Sequence, residues 1–241
     1  MAANQSKTLQ QLVADLVELH HDNLASVILY GSTVAGANSN RESRHNVLVV
    51  LHRLGFDDLR LTRDALRGWK TAGQPTPVLF TVDELRRAAD VFPIEFLQME
   101  NARQVLHGND AFEFIEISQT NLRRQTEYEL RTKLTQLRRL FVSGTLSAAS
   151  LSALMSDSFS SFAALFRAVL ILHGQQPPVA NADAVRATVN LLGLDGLPFE
   201  WILKQRAGET RSPDDREVNA AFEGYLTQIA RVIDVVDQLD Q

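Results

Sequence analysis

The chain has 241 residues, of which 45% are apolar, a formal net charge of −5 and no cysteine. This composition predicts a folded, soluble protein with a buried core, and it excludes disulfides, a thiol nucleophile and Cys-ligated zinc. The negative charge argues against a broad nucleic-acid surface, although it allows a local basic patch. Apart from one adjacent pair the histidines are scattered, so no metal site is predicted.

No apolar run reaches the roughly 18 to 20 residues that a membrane span needs. The best candidate, from Phe162 to Leu172, is 11 residues long and contains Arg167. The first residues also lack the basic and then apolar order of a secretory signal. We therefore expect a cytoplasmic protein that has no membrane partner.

The first part of the chain alternates helix and strand patterns. Apolar residues at helical spacing predict a helix over 5–22, and the apolar run 26–31 predicts a strand that ends in a tight turn. A helix is expected after that turn, and then a strand over 45–51 whose unbroken Val and Leu content predicts burial on both faces. The remaining elements are a helix over 57–73, a strand over 76–81, a helix opened by the capping box of Thr81 and Glu84, and a strand and turn within 103–110.

Beyond Asp110 the strand patterns disappear and long helical patterns take their place. They cover residues 112–142, 147–173, 181–192, 198–206 and 213–239. The sequence therefore predicts two domains. Residues 1–110 form a small α/β domain with a mixed sheet, and residues 111–241 form an all-α helical bundle.

The turn after the first strand has the form of a phosphate site. A strand that ends in Gly31 and Ser32 and leads at once into a helix presents backbone N–H groups and a hydroxyl at a helix N-terminus. Gly31 allows close approach of the backbone, and Ser32 is the candidate donor. Because Gly-Ser turns of this kind also occur in purely structural roles, the strand that follows decides how the turn is interpreted.

The segment LYGSTVAG, followed by SRHNVLVV, resembles the nucleotidyltransferase fold of the DNA polymerase beta superfamily, especially its small bacterial members and the aminoglycoside nucleotidyltransferases. The family pattern is a strand, Gly-Ser, a small residue, a Gly and, some seven residues later, Ser-Asp-x-Asp at the start of an apolar strand. Gly31, Ser32, Gly36 and Ser43 occupy the matching places. The resemblance covers residues 5 to about 110, and it implies a helical C-terminal domain of the kanamycin-enzyme or HEPN type.

The resemblance also implies a site for two magnesium ions, which this chain lacks in part. Alternate residues of a strand point to one side with Cα atoms about 6.6 to 6.8 Å apart, so the two acids of the family converge on a metal pair. Here the two places fall on Arg44 and Asn46. Asn46 keeps one oxygen but loses the charge, and the permanent cation of Arg44 repels a metal. The metal-binding motif is therefore degenerate.

We interpret the chain as a catalytically impaired nucleotidyltransferase-like protein that binds a nucleotide, ATP or GTP, or a phosphate ligand, or acts through a protein partner. The predicted phosphate-binding residues are Gly31, Ser32 and Arg44, because a guanidinium fork suits phosphate oxygens. No metal or other cofactor is predicted. A purely structural role for Arg44 and Asn46 at a strand entrance remains the competing interpretation.

A first alternative is an active enzyme that transfers a nucleoside monophosphate to a small-molecule or protein hydroxyl with displaced carboxylates. Its weak catalytic candidates are Glu42, Asn46 and Glu95, and Mg²⁺ would be its cofactor. For the third acid of the family, Asp83 and Glu84 compete with Glu95.

A second alternative is a HEPN-like ribonuclease or antitoxin. Arg167 and His173 have five residues between them, within the Arg-x4-6-His spacing of that family, which uses the pair in a dimer for acid and base chemistry. Six residues advance a helix by about 600°, so the two side chains point about 120° apart. A structural role for His173 near the helix C-terminus is therefore favoured.

Two surface patterns complete the helical half. Arg124, Arg131 and Arg138 recur at seven-residue steps with Glu127 between the first two, which favours a salt-bridged solvated face over a ligand surface. Nucleic acid is therefore not expected as a partner. The apolar positions of the helix over 147–173 predict bundle core or the seam of a homodimer.

Overall fold

The computed structural model describes residues 8–31, 33–34, 44–144, 147–208 and 214–240. The chain forms two compact units, Met1–Ser118 and Gln119–Gln241. The division falls eight residues after the boundary expected at 110, since the segment that follows Asp110 packs with the α/β core. Phe112 in this segment is buried, and Ile115 and Ile117 pack against the same cluster.

The described residues of the first unit contain five α-helices and four β-strands. In chain order they are α1 (Leu9–His20), β1 (Leu24–Tyr30), β2 (Asn46–Leu51), α2 (Phe56–Ala65), α3 (Arg67–Thr71), β3 (Val78–Thr81), α4 (Val82–Ala88), α5 (Pro93–Asn101) and β4 (Arg103–Gly108). A short 3₁₀ turn, His21–Asn23, joins α1 to β1.

The four strands form one mixed sheet in the order β3-β2-β1-β4. β1 is antiparallel to both of its neighbours, with Tyr30 opposite Asn46 of β2 and opposite Arg103 of β4. β2 and β3 are parallel. The predicted class, an α/β unit with a mixed sheet, is confirmed.

Alternate residues of β2 are buried on opposite faces of the sheet. Val47, Val49 and Leu51 pack with residues of α1 and with Trp69. Leu48 and Val50 pack with residues of α4 and α5. The prediction that this strand is covered on both faces is therefore correct.

The element boundaries differ from the predictions in three places. The helix expected over 57–73 is divided into α2 and α3, and the helix expected from 112 begins at residue 119. After β1, residues 33–34 form a turn, and the rest of the helix expected there falls on residues 35–43, outside the described part of the chain. The capping box is present as predicted: the Thr81 hydroxyl accepts the Glu84 N–H at 3.1 Å, and the Thr81 N–H donates to the Glu84 carboxylate at 2.8 Å.

The second unit is all-helical in its described residues. Its helices are α6 (Gln119–Val142), α7 (Ala148–Leu172), α8 (Asn181–Leu192), α9 (Leu197–Ala207) and α10 (Asp215–Asp237). The helix α7 packs against each of the other four and is the centre of the bundle. Its buried residues include Phe159, Phe162, Phe166 and Val169, which belong to the apolar set predicted as bundle core.

By length and composition, α7 is also the one helix in the described ranges that could cross a membrane. Half of its most apolar window is buried inside the protein. The core helix of a globular bundle meets the same criteria, so this feature is weak evidence for a membrane span.

Candidate functional site

The candidate site lies at the edge of the sheet where β1 ends and β2 begins. Gly31 follows Tyr30 with a φ of 86°, a left-handed conformation that glycine adopts without strain. Its N–H donates to the carbonyl oxygen of Ala102 at 2.8 Å, and its own carbonyl accepts the N–H of Val34 at 3.0 Å. Hydrogen bonds therefore fix the turn at both the N–H and the carbonyl of Gly31.

The turn and the start of β2 form one small surface. A Cβ added to Gly31 would lie 3.2 Å from Nδ2 of Asn46, so the two residues are in direct contact. The hydroxyl of Thr33 donates to the carbonyl oxygen of Arg44 at 2.7 Å. The structure thus brings together Gly31, Arg44 and Asn46. The other predicted residues, Ser32 and Glu42, and the motif residues Gly36 and Ser43, lie outside the described residues.

The position of His45 indicates on which face of the sheet the side chains of Arg44 and Asn46 lie. Its ring packs against Trp69, with centroids 6.1 Å apart, on the side of the sheet covered by α1. Its N–H donates to the side chain of Gln74 at 2.8 Å. Because side chains alternate along an extended strand, Asn46 lies on the opposite face of the sheet from His45. Arg44, which is exposed, is two residues before Asn46 and therefore belongs to the same face as Asn46. These are the positions at which the resemblance led us to expect acids.

The neighbouring strand brings no acid to this edge. β3 runs parallel to β2 with Leu48 opposite Val78, so the segment 74–77 lies level with the start of β2. Its sequence is Gln-Pro-Thr-Pro. The resemblance to the family led us to expect a third carboxylate on a later strand, and the matching segment here is neutral.

Two of the three candidates for that acid lie at the far end of the sheet. Thr81, the last residue of β3, pairs with Leu51, and Asp83 and Glu84 come after it. Leu51 is five residues beyond Asn46, which corresponds to about 16 Å along a strand. Glu84 is engaged in capping α4.

The third candidate, Glu95, is exposed in the first turn of α5. The opposite end of α5 leads to Ala102, whose carbonyl accepts the Gly31 N–H. Seven residues of helix correspond to about 10 Å, so Glu95 lies away from the Gly31 turn. Glu100, an exposed acid two residues before Ala102, is closer to the turn along the chain, and no pattern in the sequence distinguished it from Glu95.

Sequence reasoning did not identify a row of side chains that continues the site across the sheet. Tyr30 stands between Asn46 and Arg103 as the cross-strand partner of both. Burial raises the pKa of the Tyr30 phenol, so this group is a neutral donor and acceptor at neutral pH. The only sequence signal for Tyr30 was its position immediately before Gly31.

Arg103 holds Asp110 in a bidentate ion pair. Its Nε and Nη2 approach the carboxylate at 2.8 to 3.1 Å, and the N–H of Phe112 donates to the same carboxylate at 3.0 Å. Burial alone would raise the pKa of Asp110, but the hydrogen bonds from Arg103 and Phe112 outweigh it and lower the pKa. Both oxygens of Asp110 are already occupied, so its role is structural.

The described side chains at this edge suit an anion better than a cation. Arg44 contributes an exposed guanidinium and Asn46 an amide, and both can donate to phosphate oxygens. Within the described residues, no three His, Asp or Glu side chains are grouped so that they could hold a metal ion.

The HEPN-type pair is engaged in local contacts. Arg167 donates to the carbonyl oxygens of residues 178–179 and to Asn181, and it thereby anchors the loop between α7 and α8. Nδ1 of His173 lies 2.9 Å from the carbonyl oxygen of Val169, one turn earlier in α7. Both side chains therefore have structural roles within the bundle.

The mixed sheet, the glycine turn between its two central strands and the helical unit that follows define a nucleotidyltransferase-like fold. No protein-family model and no curated protein sequence matches the chain. Among solved structures, the chain is similar to the spectinomycin adenyltransferase AAD(9) from Enterococcus faecialis, crystallised with ATP and spectinomycin. The TM-score is 0.56 at 14% identity, over 94% of this chain and 99% of that chain. This similarity confirms the fold that the resemblance implied.

Proposed function

We propose that the protein binds a nucleoside triphosphate through direct side-chain contacts and is impaired in metal-dependent nucleotidyl transfer. One observation supports the proposal: Arg44 and Asn46 lie next to the Gly31 turn, at the positions to which the resemblance assigns the two metal-binding acids. A guanidinium at such a place repels Mg²⁺ and attracts the phosphate that Mg²⁺ would have bound.

The contacts of the turn assign different roles to its residues. The N–H of Gly31 is already bonded to Ala102, so Gly31 contributes space for the ligand rather than a hydrogen bond. The donors are the guanidinium of Arg44 and the amide of Asn46, with the hydroxyl of Ser32 as the donor predicted from the sequence. Because a neutral amide and a cation replace two anions, the site is three charges more positive than a site with both acids.

ATP is the first ligand to test, since the solved structure with the same fold contains ATP. That structure also contains spectinomycin, but none of the described contacts at the Gly31 turn points to such a molecule. We therefore extend only nucleotide binding to this chain.

The experiment is a calorimetric titration of the protein with ATP and with GTP, once with Mg²⁺ and once with EDTA. We expect affinities that agree within about threefold in the two conditions. Arg44→Gln should weaken binding by about tenfold, the effect of one charge-assisted hydrogen bond. Arg53→Gln is the matched control, since Arg53 is exposed just beyond the other end of β2.

Two results would contradict the proposal. Failure of ATP and GTP to bind in either condition would leave the turn with a structural role only. Binding that requires Mg²⁺ would refute the role of Arg44 and favour an active enzyme with displaced carboxylates. Release of pyrophosphate that is lost in Glu100→Gln but retained in Glu95→Gln would then identify the acid.

A further inference from the structure

The strongest concentration of charge outside the candidate site is on α6. This helix contains six Arg or Lys residues and two Glu residues, a net charge of +4. The whole chain carries −5, so the remaining residues together carry −9. A segregation of this size creates a local positive field that the net charge conceals.

Part of this charge is neutralised by ion pairs. Glu127 forms ion pairs with Arg123 at 3.0 Å and with Arg131 at 2.7 Å, and Arg131 also approaches Asp237 at 3.5 Å. The sequence pattern had placed Glu127 between Arg124 and Arg131. The structure uses Arg123 in place of Arg124, because Arg123 lies on the inner side of the helix, where its side chain is only 13% exposed.

Three arginines of α6 remain outside this network. Arg124, Arg138 and Arg139 are exposed, and their side chains make no hydrogen bond or ion pair with any described residue. Arg124 and Arg138 are fourteen residues apart, or about 21 Å along the helix axis. Seven-residue steps drift by only about 20° each, so Arg124, Arg131 and Arg138 form one line.

An aromatic ring lies beside this line. The side chain of Tyr128 is 67% exposed, and it stands one turn from both Arg124 and Arg131. A groove of about 770 Å³ continues from Tyr128 along the helix. The described residues that line it offer guanidinium, hydroxyl and amide groups and no carboxylate; they include Arg131, Thr135, Gln136, Arg139 and Ser143.

We infer that the α6 basic face, formed by Arg124, Tyr128, Arg131, Arg138 and Arg139, binds single-stranded nucleic acid. Guanidinium groups along one face can contact several phosphates of the same strand, and phosphate contacts supply most of the affinity for such ligands. An exposed tyrosine between cations is a platform on which an unpaired base can stack. An acidic peptide would satisfy the charges but would leave the ring without a partner, and a duplex would not offer its bases for stacking.

The earlier expectation that nucleic acid is not a partner depended on the charge of the whole chain and on predicted salt bridges along α6. The structure leaves Arg124 outside these salt bridges. Association with a polyanion depends on the local field within roughly a Debye length, about 8 Å at physiological salt. Glu127 and Asp237 offset the charge of Arg131, whereas Arg124, Arg138 and Arg139 form no ion pair with a described residue and keep this face positive.

The test is fluorescence anisotropy of the full chain with a labelled single strand of about 12 nucleotides, as RNA and as DNA, in salt from about 50 to 200 mM. The combined variant Arg124→Gln, Arg138→Gln and Arg139→Gln should reduce the slope of log affinity against log salt by about 2. At about 100 mM salt it should weaken binding at least tenfold. The control replaces three exposed arginines elsewhere, Arg60→Gln, Arg63→Gln and Arg216→Gln, with the same change in net charge.

The variant Tyr128→Leu separates the contribution of base stacking from the contribution of charge. It also tests the inference if the triple arginine variant fails to fold. It should weaken binding by about tenfold with an unchanged salt slope, since one stacked base is lost and no phosphate contact is removed. Arg44→Gln should leave strand binding unchanged, which keeps the result independent of the proposed nucleotide site.

Three outcomes would overturn the inference. The first is no binding of either strand at the lowest salt. The second is an equal loss in the control variant, which would show attraction by net charge alone. The third is full competition by a poly-glutamate peptide together with insensitivity to Tyr128→Leu, which would identify an acidic protein segment as the ligand of this face.

Discussion

Asn46 lies against Gly31, with its amide nitrogen 3.2 Å from where a Cβ of residue 31 would be. The contact joins the turn after β1 to the first residue of β2, so the two halves of the nucleotidyltransferase motif share one surface. Asp and Asn have nearly the same shape, and the packing at this contact would therefore accept either residue. An Asn46→Asp substitution would therefore change the charge at this contact rather than the space.

Replacing both residues by the acids of the family should restore metal dependence. In the double variant Arg44→Asp and Asn46→Asp, we expect ATP to bind at least tenfold more tightly with Mg²⁺ than with EDTA, because two carboxylates can hold the ion that bridges the phosphates. In the unmodified protein the two affinities should agree. Calorimetry with both buffers measures the difference.

The control for this experiment is His52→Asp with Arg53→Asp, two exposed residues just beyond the opposite end of β2 that give the same change in charge. Equal metal dependence in the control would show a general effect of negative charge. We expect little turnover in the restored variant, since the segment 74–77 supplies no third acid.

Gly108 should tolerate no side chain. A Cβ at this position would lie 2.0 Å from the carbonyl oxygen of Ala25, and its φ of 73° is strained for other residues. Gly108→Ala should therefore lower the free energy of unfolding by about 3 kcal/mol. Gly73 is the matched control, because its φ is 72° and nothing lies within 4 Å of its Cβ position. Gly73→Ala should cost only about 1 kcal/mol.

Urea denaturation followed by tryptophan fluorescence measures both variants. The chain has two tryptophans, and only Trp69 lies in the first unit. A Trp201→Phe background therefore makes the signal specific for the unit that contains Gly108. Equal losses in the two glycine variants would show that backbone strain, and not the contact with Ala25, determines the result.

His20 should make the first unit less stable in mild acid. Its Nε2 lies 3.0 Å from the Thr62 hydroxyl, which itself donates to the carbonyl of Asp58 at 2.9 Å, so His20 is the donor. Nδ1 is buried without a partner in the described part of the chain. Burial lowers the pKa of His20 below 6.5, with a smaller opposing effect from the Asp58 carboxylate. The folded protein therefore favours the neutral ring.

The sign of the effect follows from proton binding. Since the pKa is lower in the folded state, the unfolded chain binds more protons below pH 6.5. The contribution of His20 is complete above that pH and is lost as the pH falls, by at most about 1.4 kcal/mol per pH unit. Urea denaturation of the first unit between pH 8 and about pH 5 measures it.

His20→Gln should remove most of this dependence, and His52→Gln, at an exposed position, should leave it unchanged. If the His20 variant retains the full slope, then other groups are responsible for the acid sensitivity.

The bundle contains a buried polar pair that should be coupled. The hydroxyl of Tyr225 lies 3.1 Å from Oγ of Ser158, which donates to the carbonyl of Met155, so the phenol is the donor. Tyr225 is fully buried, and burial raises its pKa. Tyr225→Phe should lower the stability of the second unit by about 1 kcal/mol, the net value of one hydrogen bond.

A double-mutant cycle with Ser158→Ala tests this pair, with unfolding followed by Trp201 in a Trp69→Phe background. We expect a coupling energy of about 0.5 to 1.5 kcal/mol. Additive effects would mean that the two hydroxyls do not contribute jointly to stability.

Local patterns predicted most of the secondary structure. The helices α6 to α10 and the four strands were expected near their observed positions, because side-chain periodicity reports burial on a face. The capping box of α4 was correct because its partners lie within one turn of each other. The division between α2 and α3 was missed, since the periodic pattern continues through Leu66.

The site was only partly predictable for the same reason. Arg44 and Asn46, at the positions where the resemblance led us to expect acids, could be predicted from a motif of a few residues, and so could the glycine turn. The positions of Asp83 and Glu84 depend on the parallel register of β3 with β2, which no local pattern specifies. Their distance from the site emerged only from that register.

By itself, the sequence determined the class of fold and the residue types at positions 44 and 46, because both depend on residues that are close neighbours along the chain. The tertiary structure decided which side chains share the site. In the folded chain the N–H of Gly31 donates a hydrogen bond to the carbonyl oxygen of Ala102, and Arg103 forms an ion pair with Asp110. On α6, Glu127 forms an ion pair with Arg123, and Arg124 stays exposed. These contacts follow from strand register and helix packing. Both bring together groups whose separation in the sequence does not predict that they are in contact.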